Sequence, residues 1–164
     1  MNEYIPYGKQ SISETDIAKV CEVLRSDWLT QGPTVQTFEN AVTEKCNAQY
    51  AVAVNSATSA LHIACLALGV GPSDTVWTSP NTFVASANCA RYCGASVDFV
   101  DIDLNTWCLS VELLREKLEQ HQSGGMLLPK VVIPVNLSGQ SCDMQVILVL
   151  GINSDLALLR MLPM

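Results

Sequence analysis

The chain has 164 residues, 49% of them hydrophobic and 15% charged, with a formal net charge of -7. That length supports one good core and requires no second domain. The acidic balance, with no run of Lys or Arg, excludes the electrostatic footprint of a nucleic-acid binder, while a charged fraction below the usual quarter points to surface covered by other protein.

In chain order, residues 1–8 lack the positive segment followed by an apolar stretch that marks a secretory signal, so a cytoplasmic protein is expected. Ser13 can cap a helix running to about Arg25, in which Ile17, Val20, Cys21 and Leu24 recur at helical spacing. After the turn Trp28-Leu29-Thr30-Gln31-Gly32-Pro33, the residues Val35, Phe38, Ala41, Val42 and Cys46 share one face of a second helix. These two helices read as an N-terminal extension laid against a main body. Residues 50–54 read as a short buried strand, 55–59 as a small polar turn, and 60–68 as a helix stopped by Gly69.

The same unit then recurs. A strand is expected over 75–78, a helix over 83–93 ended by Gly94, a strand over 96–100, a helix over 110–121 and a strand over 131–135. Strands alternating with helices predict an α/β fold, a mostly parallel sheet with right-handed crossovers in a single three-layer sandwich. Residues 146–162 are apolar, but Asn153, Ser154, Asp155 and Arg160 interrupt them before the ~18 residues that a membrane span needs.

Three polar turns would share the carboxyl edge of such a sheet, where ligands of open α/β folds bind. Ser56-Ala57-Thr58-Ser59 begins a helix, and its small residues and hydroxyls suit a phosphate held by backbone N–H groups; ordinary helix capping explains the same residues. Ser79-Pro80-Asn81-Thr82-Phe83 follows the next strand, and Phe83 could stack on a flat ring or act as a hydrophobic staple. Asn136-Leu137-Ser138-Gly139-Gln140 follows the strand over 131–135. Together the three turns would surround one crevice. No Gly-x-Gly-x-x-Gly and no Walker loop is present, which argues against a nicotinamide-dependent oxidoreductase.

These segments, with the run Val97-Asp98-Phe99-Val100-Asp101-Ile102-Asp103 and the Trp28 to Pro33 turn, resemble the DegT/DnrJ/EryC1/StrS aminotransferases over about residues 5–144. The resemblance implies a truncated fold type I (aspartate aminotransferase-like) large domain and a homodimer with pyridoxal phosphate near the subunit boundary. It implies that Thr58 and Ser59 hold the cofactor phosphate, that Phe83 stacks on the pyridine ring, and that Ser138, Gly139 and Gln140 border the cofactor pocket. Trp28, Leu29 and Thr30 would lie near the nucleotide-sugar site, with a 4-keto-6-deoxy sugar as acceptor and glutamate as amino donor. Asn136 stands where the family often has histidine.

The family's chemistry also needs a lysine to carry the cofactor and an acidic residue beside the ring nitrogen. Residues 145–164 read as an apolar tail that departs from the family's pattern, with Asp155 a poor match for the acidic residue. Lys9, Lys19, Lys45 and Lys117 fall in the N-terminal segment or on polar helix faces, where a solvated charge is expected, and Lys130 precedes a strand at the edge opposite the crevice. A second reading is therefore a non-catalytic fragment that associates with a full-length subunit. The seven cysteines, odd in number and without a two-residue gap, read as buried free thiols. His62 reads as a core histidine, His121 as a helix-end residue, and Asp101 and Asp103 as part of a solvated turn, with no metal site expected.

Overall fold

The computed structural model describes residues 8–160. It divides into two compact units, Met1–Ala53 and Val54–Met164. The first holds helices α1 (Glu14–Leu24) and α2 (Pro33–Cys46). Helix α1 starts with a reciprocal capping box: the Asp16 N–H donates to Ser13 Oγ at 3.2 Å, and the Ser13 N–H donates to the Asp16 carboxylate at 2.8 Å. Helix α2 has Pro33 at its first position and ends on Asn47 in the left-handed region, φ 49°. Neither helix buries a residue, and Ile17, Val20, Leu24, Val35 and Phe38 are exposed.

The strand expected over 50–54 does not form. Tyr50 and Val52 are exposed, and no strand lies beside the segment among the described residues. A strand is held by its ladder, so β-branched and aromatic residues without a neighbour do not make one.

In the second unit, α3 (Ala57–Ala67) starts three residues before the position expected, because Ser56 takes the cap and accepts the Ser59 N–H at 3.2 Å. It ends in a Schellman turn: Gly69 has φ 69°, the Val70 N–H reaches Cys65 O at 3.0 Å, and the Gly69 N–H reaches Leu66 O at 2.9 Å. Helix α4 (Ala85–Tyr92) ends the same way at Gly94, and α5 (Val111–Ser123) is capped by Ser110. The strands are β1 (Thr75–Thr78), β2 (Ser96–Phe99), β3 (Val131–Ile133) and β4 (Ala157–Leu158), all parallel in the order β2-β1-β3-β4.

Alternation along the strands fills two cores. Val76, Val131 and Ile133 face Leu61 and Cys65 of α3 and Ala85, Cys89 and Ala90 of α4. Trp77 and Val132 face Leu114 and Leu118 of α5 and Ile147 of α6 (Met144–Asn153). Helices thus cover both faces of the sheet, giving the expected three-layer α/β sandwich. The chain moves from β1 to β2 and then across to β3, and α4 and α5 lie on opposite faces, which is the arrangement right-handed crossovers require.

Residues 144–158, mostly within the segment read as an apolar tail, form a further helix and strand. Asp143 caps α6 by accepting the Val146 N–H at 3.2 Å, and β4 pairs with β3 through Val131–Ala157 and Val132–Leu158. Gly151 lets the helix approach its own strand, since a Cβ there would sit 3.1 Å from Leu158 Cδ1. No helix among the described residues is long and apolar enough to cross a membrane.

Candidate active site

The strand order reverses between β1 and β3, so the connections leaving their carboxyl ends part to opposite faces and open a crevice between them. The 79–83 turn leaves β1 and the 134–140 segment leaves β3 at this edge. Helix α3 leads into β1 through the short 68–74 connection at the amino edge, and it packs along the sheet, so its N-terminus returns to the carboxyl edge. The fold therefore brings the Thr58–Ser59, Phe83 and Ser138–Gln140 segments to one edge, as the sequence predicted.

The α3 N-terminus is built to leave donors free. Of its first N–H groups, that of Ser59 is used by Ser56 Oγ and that of Ala60 by Ser56 O at 3.0 Å. The N–H groups of Ala57 and Thr58 belong to the turn that the helix itself cannot satisfy. The Ser59 hydroxyl donates to Asn55 Oδ1 at 2.7 Å and lies 3.1 Å from Ser56 Oγ, which fixes its rotamer. Thr58 makes no side-chain hydrogen bond among the described residues. Free N–H groups, the Thr58 hydroxyl and the positive end of an eleven-residue helix suit a phosphate, and the Ser59 hydroxyl joins them only on leaving Asn55.

Phe83 stands just outside α4, whose cap is Val84, and its ring is 60% exposed. Exposure on that scale rules out a staple packed on the helix and leaves a flat apolar surface at the crevice edge. Beneath it, Thr78 and Ser79 are buried, and the Thr78 hydroxyl donates to Ile133 O at 2.9 Å, tying β1 to β3 where the crevice starts.

The loop after β3 is held from below by Asn136, which the sequence singled out only for its place in the loop, and by Cys108 and Cys142, read there only as buried thiols. Asn136 is buried, and its Oδ1 accepts the Cys142 N–H at 3.1 Å across the base of the loop. The Cys142 thiol donates to Val135 O at 3.2 Å and the Cys108 thiol to Gln140 O at 3.3 Å. Burial, and then the neighbouring Cys108, push the Cys142 thiol up to about 11, so it stays protonated and can donate. Ser138 and Gly139 both take positive φ, 50° and 88°, above this clamp. Only the short spacing of Asn136 and Cys142, six residues apart, could have hinted at it.

Trp28, Leu29 and Thr30 lie in the first unit, in a turn organised by Ser26, whose Oγ accepts the Trp28 N–H at 3.2 Å and donates to Val23 O at 2.8 Å. Gly32 is required there, because a Cβ would lie 2.7 Å from Trp28 Cβ. Trp28 and Leu29 are exposed.

One charged residue departs from expectation. Lys117, predicted on a solvated face, is mostly covered: it forms an ion pair with Asp98, donates to Phe99 O at 2.8 Å and lies 4.6 Å above the Trp77 ring. Burial acts to raise the Asp98 carboxyl, but the Lys117 ammonium and the Phe99 N–H outweigh it and hold the group below its ordinary value. Lys130 pairs with Asp74 at 3.3 Å and donates to Gly69 O at 2.8 Å, at the amino edge as expected. His121 meets Trp77 edge-on at 4.9 Å, and the half-buried His62 lies 5.3 Å from the Tyr92 ring. Four of the seven free cysteines, Cys65, Cys89, Cys108 and Cys142, are buried as expected, while Cys46 is exposed.

Comparison with known proteins gives this edge its context. A family model for the DegT/DnrJ/EryC1/StrS aminotransferases matches residues 10–160. The chain is 43% identical over 159 residues to the spore coat polysaccharide biosynthesis protein SpsC of Bacillus subtilis, covering 97% of this chain and 39% of that protein. It is 36% identical to the UDP-4-amino-4-deoxy-L-arabinose--oxoglutarate aminotransferase of Shewanella sediminis, covering 92% of this chain and 37% of the relative. Among solved structures, a DegT DnrJ EryC1 StrS aminotransferase from Brucella abortus superposes with a TM-score of 0.82 at 28% identity, over 88% of this chain and 39% of that one. The sugar aminotransferase Spr1654 of Streptococcus pneumoniae, solved in a PLP-form, gives 0.79 at 32% identity over 88% of this chain and 35% of that one. The chain thus spans about two-fifths of the length of these relatives.

Proposed function

The chain belongs to the DegT/DnrJ/EryC1/StrS aminotransferase family, and from that premise we propose that it forms the phosphate- and ring-holding part of a pyridoxal-phosphate-dependent aminotransferase acting on nucleotide-linked sugars. The observation that carries this reading is the open N-terminus of α3, set at the same sheet edge as the exposed Phe83 ring and the clamped 136–140 loop. Thr58 and Ser59, with the free N–H groups beside them, hold the phosphate; Phe83 covers one face of the ring; Ser138 and Gln140 border the pocket. When bound, pyridoxal phosphate supplies an electron sink for moving an amino group. The protein's part is to orient the ring and keep water from one side of it.

Within the family, the segment matches favour the transaminase of pseudaminic acid biosynthesis, which makes UDP-4-amino-4,6-dideoxy-N-acetyl-altrosamine, with glutamate as amino donor. The Trp28-Leu29-Thr30 turn then serves the nucleotide sugar, and the whole enzyme works as a cytoplasmic homodimer.

On this reading none of the five lysines carries the cofactor. Lys117 is committed to Asp98 and Lys130 to the amino edge, and Lys19 pairs with Glu22 on an exposed helix face. The chain by itself accordingly binds the cofactor without transamination. The exposed apolar residues of α1 and α2 favour, as a second reading, a fragment that associates with a full-length subunit. Absorbance of the purified chain with pyridoxal phosphate, followed by borohydride reduction and mass analysis, tests both points. Expected are saturable binding that weakens in Ser59→Ala and Phe83→Ala, and no stoichiometric covalent label. Binding indifferent to both substitutions would overturn the cradle, and a stoichiometric adduct on one lysine would overturn the assignment of the lysines.

A further inference from the structure

Trp107 is a large side chain at the carboxyl edge whose position the core does not explain. It sits at φ 61°, in the left-handed region that bulky L residues rarely adopt, and its indole is 56% exposed. Trp77, by contrast, is 1% exposed. The backbone of the turn is fixed from several sides. The Asp103 carboxylate accepts the N–H groups of Asn105 and Thr106 at 3.0 and 2.8 Å, and the Trp107 N–H donates to Asp103 O at 2.8 Å. The Asp103 N–H donates to Cys108 O at 2.9 Å, Ile102 bridges Leu109, and the Cys108 thiol anchors the turn to Gln140 O. The turn therefore presents the indole rigidly while burying little of it, so packing does not account for the strained backbone.

The indole borders a groove whose other side is the loop after β3. Its lining includes Asn105, Thr106, Trp107, Ser138, Gly139 and Gln140, and no charged residue. Gly139 has no atom within 4 Å of the position a Cβ would take, so the groove stays open on that side. An uncharged groove gives no attraction for phosphate or carboxylate. A flat aromatic wall beside two carboxamides, each able to donate and accept, suits instead a neutral planar heterocycle with a hydrogen-bonding edge.

We propose that this groove receives the nucleobase of the nucleotide-linked sugar, with Trp107 as the stacking surface and the Asn105 and Gln140 amides pairing with the base edge. The assignment rests on the chain's being a sugar-nucleotide aminotransferase, the reading given above; it gives the Trp107 side of the 138–140 loop to the base and its other side to the cofactor pocket, and makes Trp107 a specificity-determining residue separate from the Thr58–Ser59 cradle. A rigid platform loses little freedom on binding, so the strain at Trp107 is offset only when the ring is covered.

The test is titration of the full chain with uridine diphosphate by calorimetry and by tryptophan emission, with pyridoxal phosphate binding followed by absorbance in the same samples. The expected result is binding that quenches emission in the wild type and in Trp28→Phe but not in Trp107→Phe. Trp107→Ala should weaken uridine diphosphate binding about tenfold or more, the scale of one lost base stack, while Trp107→Tyr retains most of it. Trp107→Gly removes both ring and strained side chain, so it should melt no lower than the wild type yet bind as weakly as the alanine variant. Absence of uridine diphosphate binding to the wild type, or unchanged affinity in Trp107→Ala and Trp107→Gly, overturns the proposal. Pyridoxal phosphate binding that persists alongside either result leaves the cofactor reading standing. Loss of pyridoxal phosphate binding with Trp107-dependent uridine diphosphate binding refutes the cofactor reading alone.

Discussion

Replacing Asn136 by alanine probes the clamp under the cofactor loop. In the wild type, Asn136 Oδ1 accepts the Cys142 N–H at 3.1 Å, and both residues are buried. Alanine keeps the backbone but leaves that N–H without its partner in a site closed to water. An unsatisfied buried donor costs about 1–3 kcal/mol. Taking the middle of that range, about 2 kcal/mol, the melting temperature should fall by about 4–8 °C for a chain of this size. The Cys142 and Cys108 thiols would still hold Val135 O and Gln140 O, so the loop should loosen and not detach. Urea unfolding followed by far-ultraviolet circular dichroism measures the stability, and pyridoxal phosphate titration measures the loop. A variant within about 0.5 kcal/mol of the wild type, the scatter of neutral surface changes, would refute the idea that Asn136 is the clamp. A variant destabilised as expected but with unchanged cofactor affinity would separate the clamp from the pocket.

Two other outcomes follow from single contacts. Gly94→Ala forces a side chain onto φ 79° and places its Cβ 3.2 Å from Pro72 Cγ, so it should cost about 1–2 kcal/mol by urea titration, whereas Gly71→Ala, with open space around it, should cost far less. Asp98 titrates below its ordinary value in the folded chain, so the ion pair with Lys117 contributes stability above the unfolded pKa of about 4 and loses it as pH falls through the lower folded value. Asp98→Asn should flatten that acid limb in melts between pH 7 and pH 2. Because Asp98 is about half exposed, the effect should also shrink at high salt, and a limb unchanged in the variant would assign it to other carboxylates.

Much of the fold was legible because its signals are local. Ser13 caps a helix through a side chain three residues from the N–H group it satisfies, and Gly69 and Gly94 end helices because left-handed backbone suits glycine. The 75–78 strand came out as read, since a short run of β-branched and aromatic residues, Thr-Val-Trp-Thr, between two helices favours a strand. What failed were expectations that depend on a neighbour far along the chain. Residues 50–54 have strand composition but no ladder, while residues 157 and 158 pair as a strand because β3 offers a free edge. Lys117 read as solvated because helical periodicity places it opposite the apolar face, yet Asp98 and Trp77 of the adjoining strands cover it. Trp107 and Cys108 carried no pattern at all; their meaning comes from Gln140, 32 residues away.

The sequence by itself determined the α/β class, the helix stops at Gly69 and Gly94, the turns that could hold a phosphate and an aromatic ring, and the family to which the chain belongs. These rest on period, capping and short motifs, which need no knowledge of what lies across the sheet. Only the tertiary structure decided that the strand order reverses between β1 and β3, which opens the crevice, and that Asn136, Cys108 and Cys142 hold its far wall. Those are relations between segments distant in the chain, and burial and hydrogen-bond partners at such distances are fixed by packing, which no local pattern encodes.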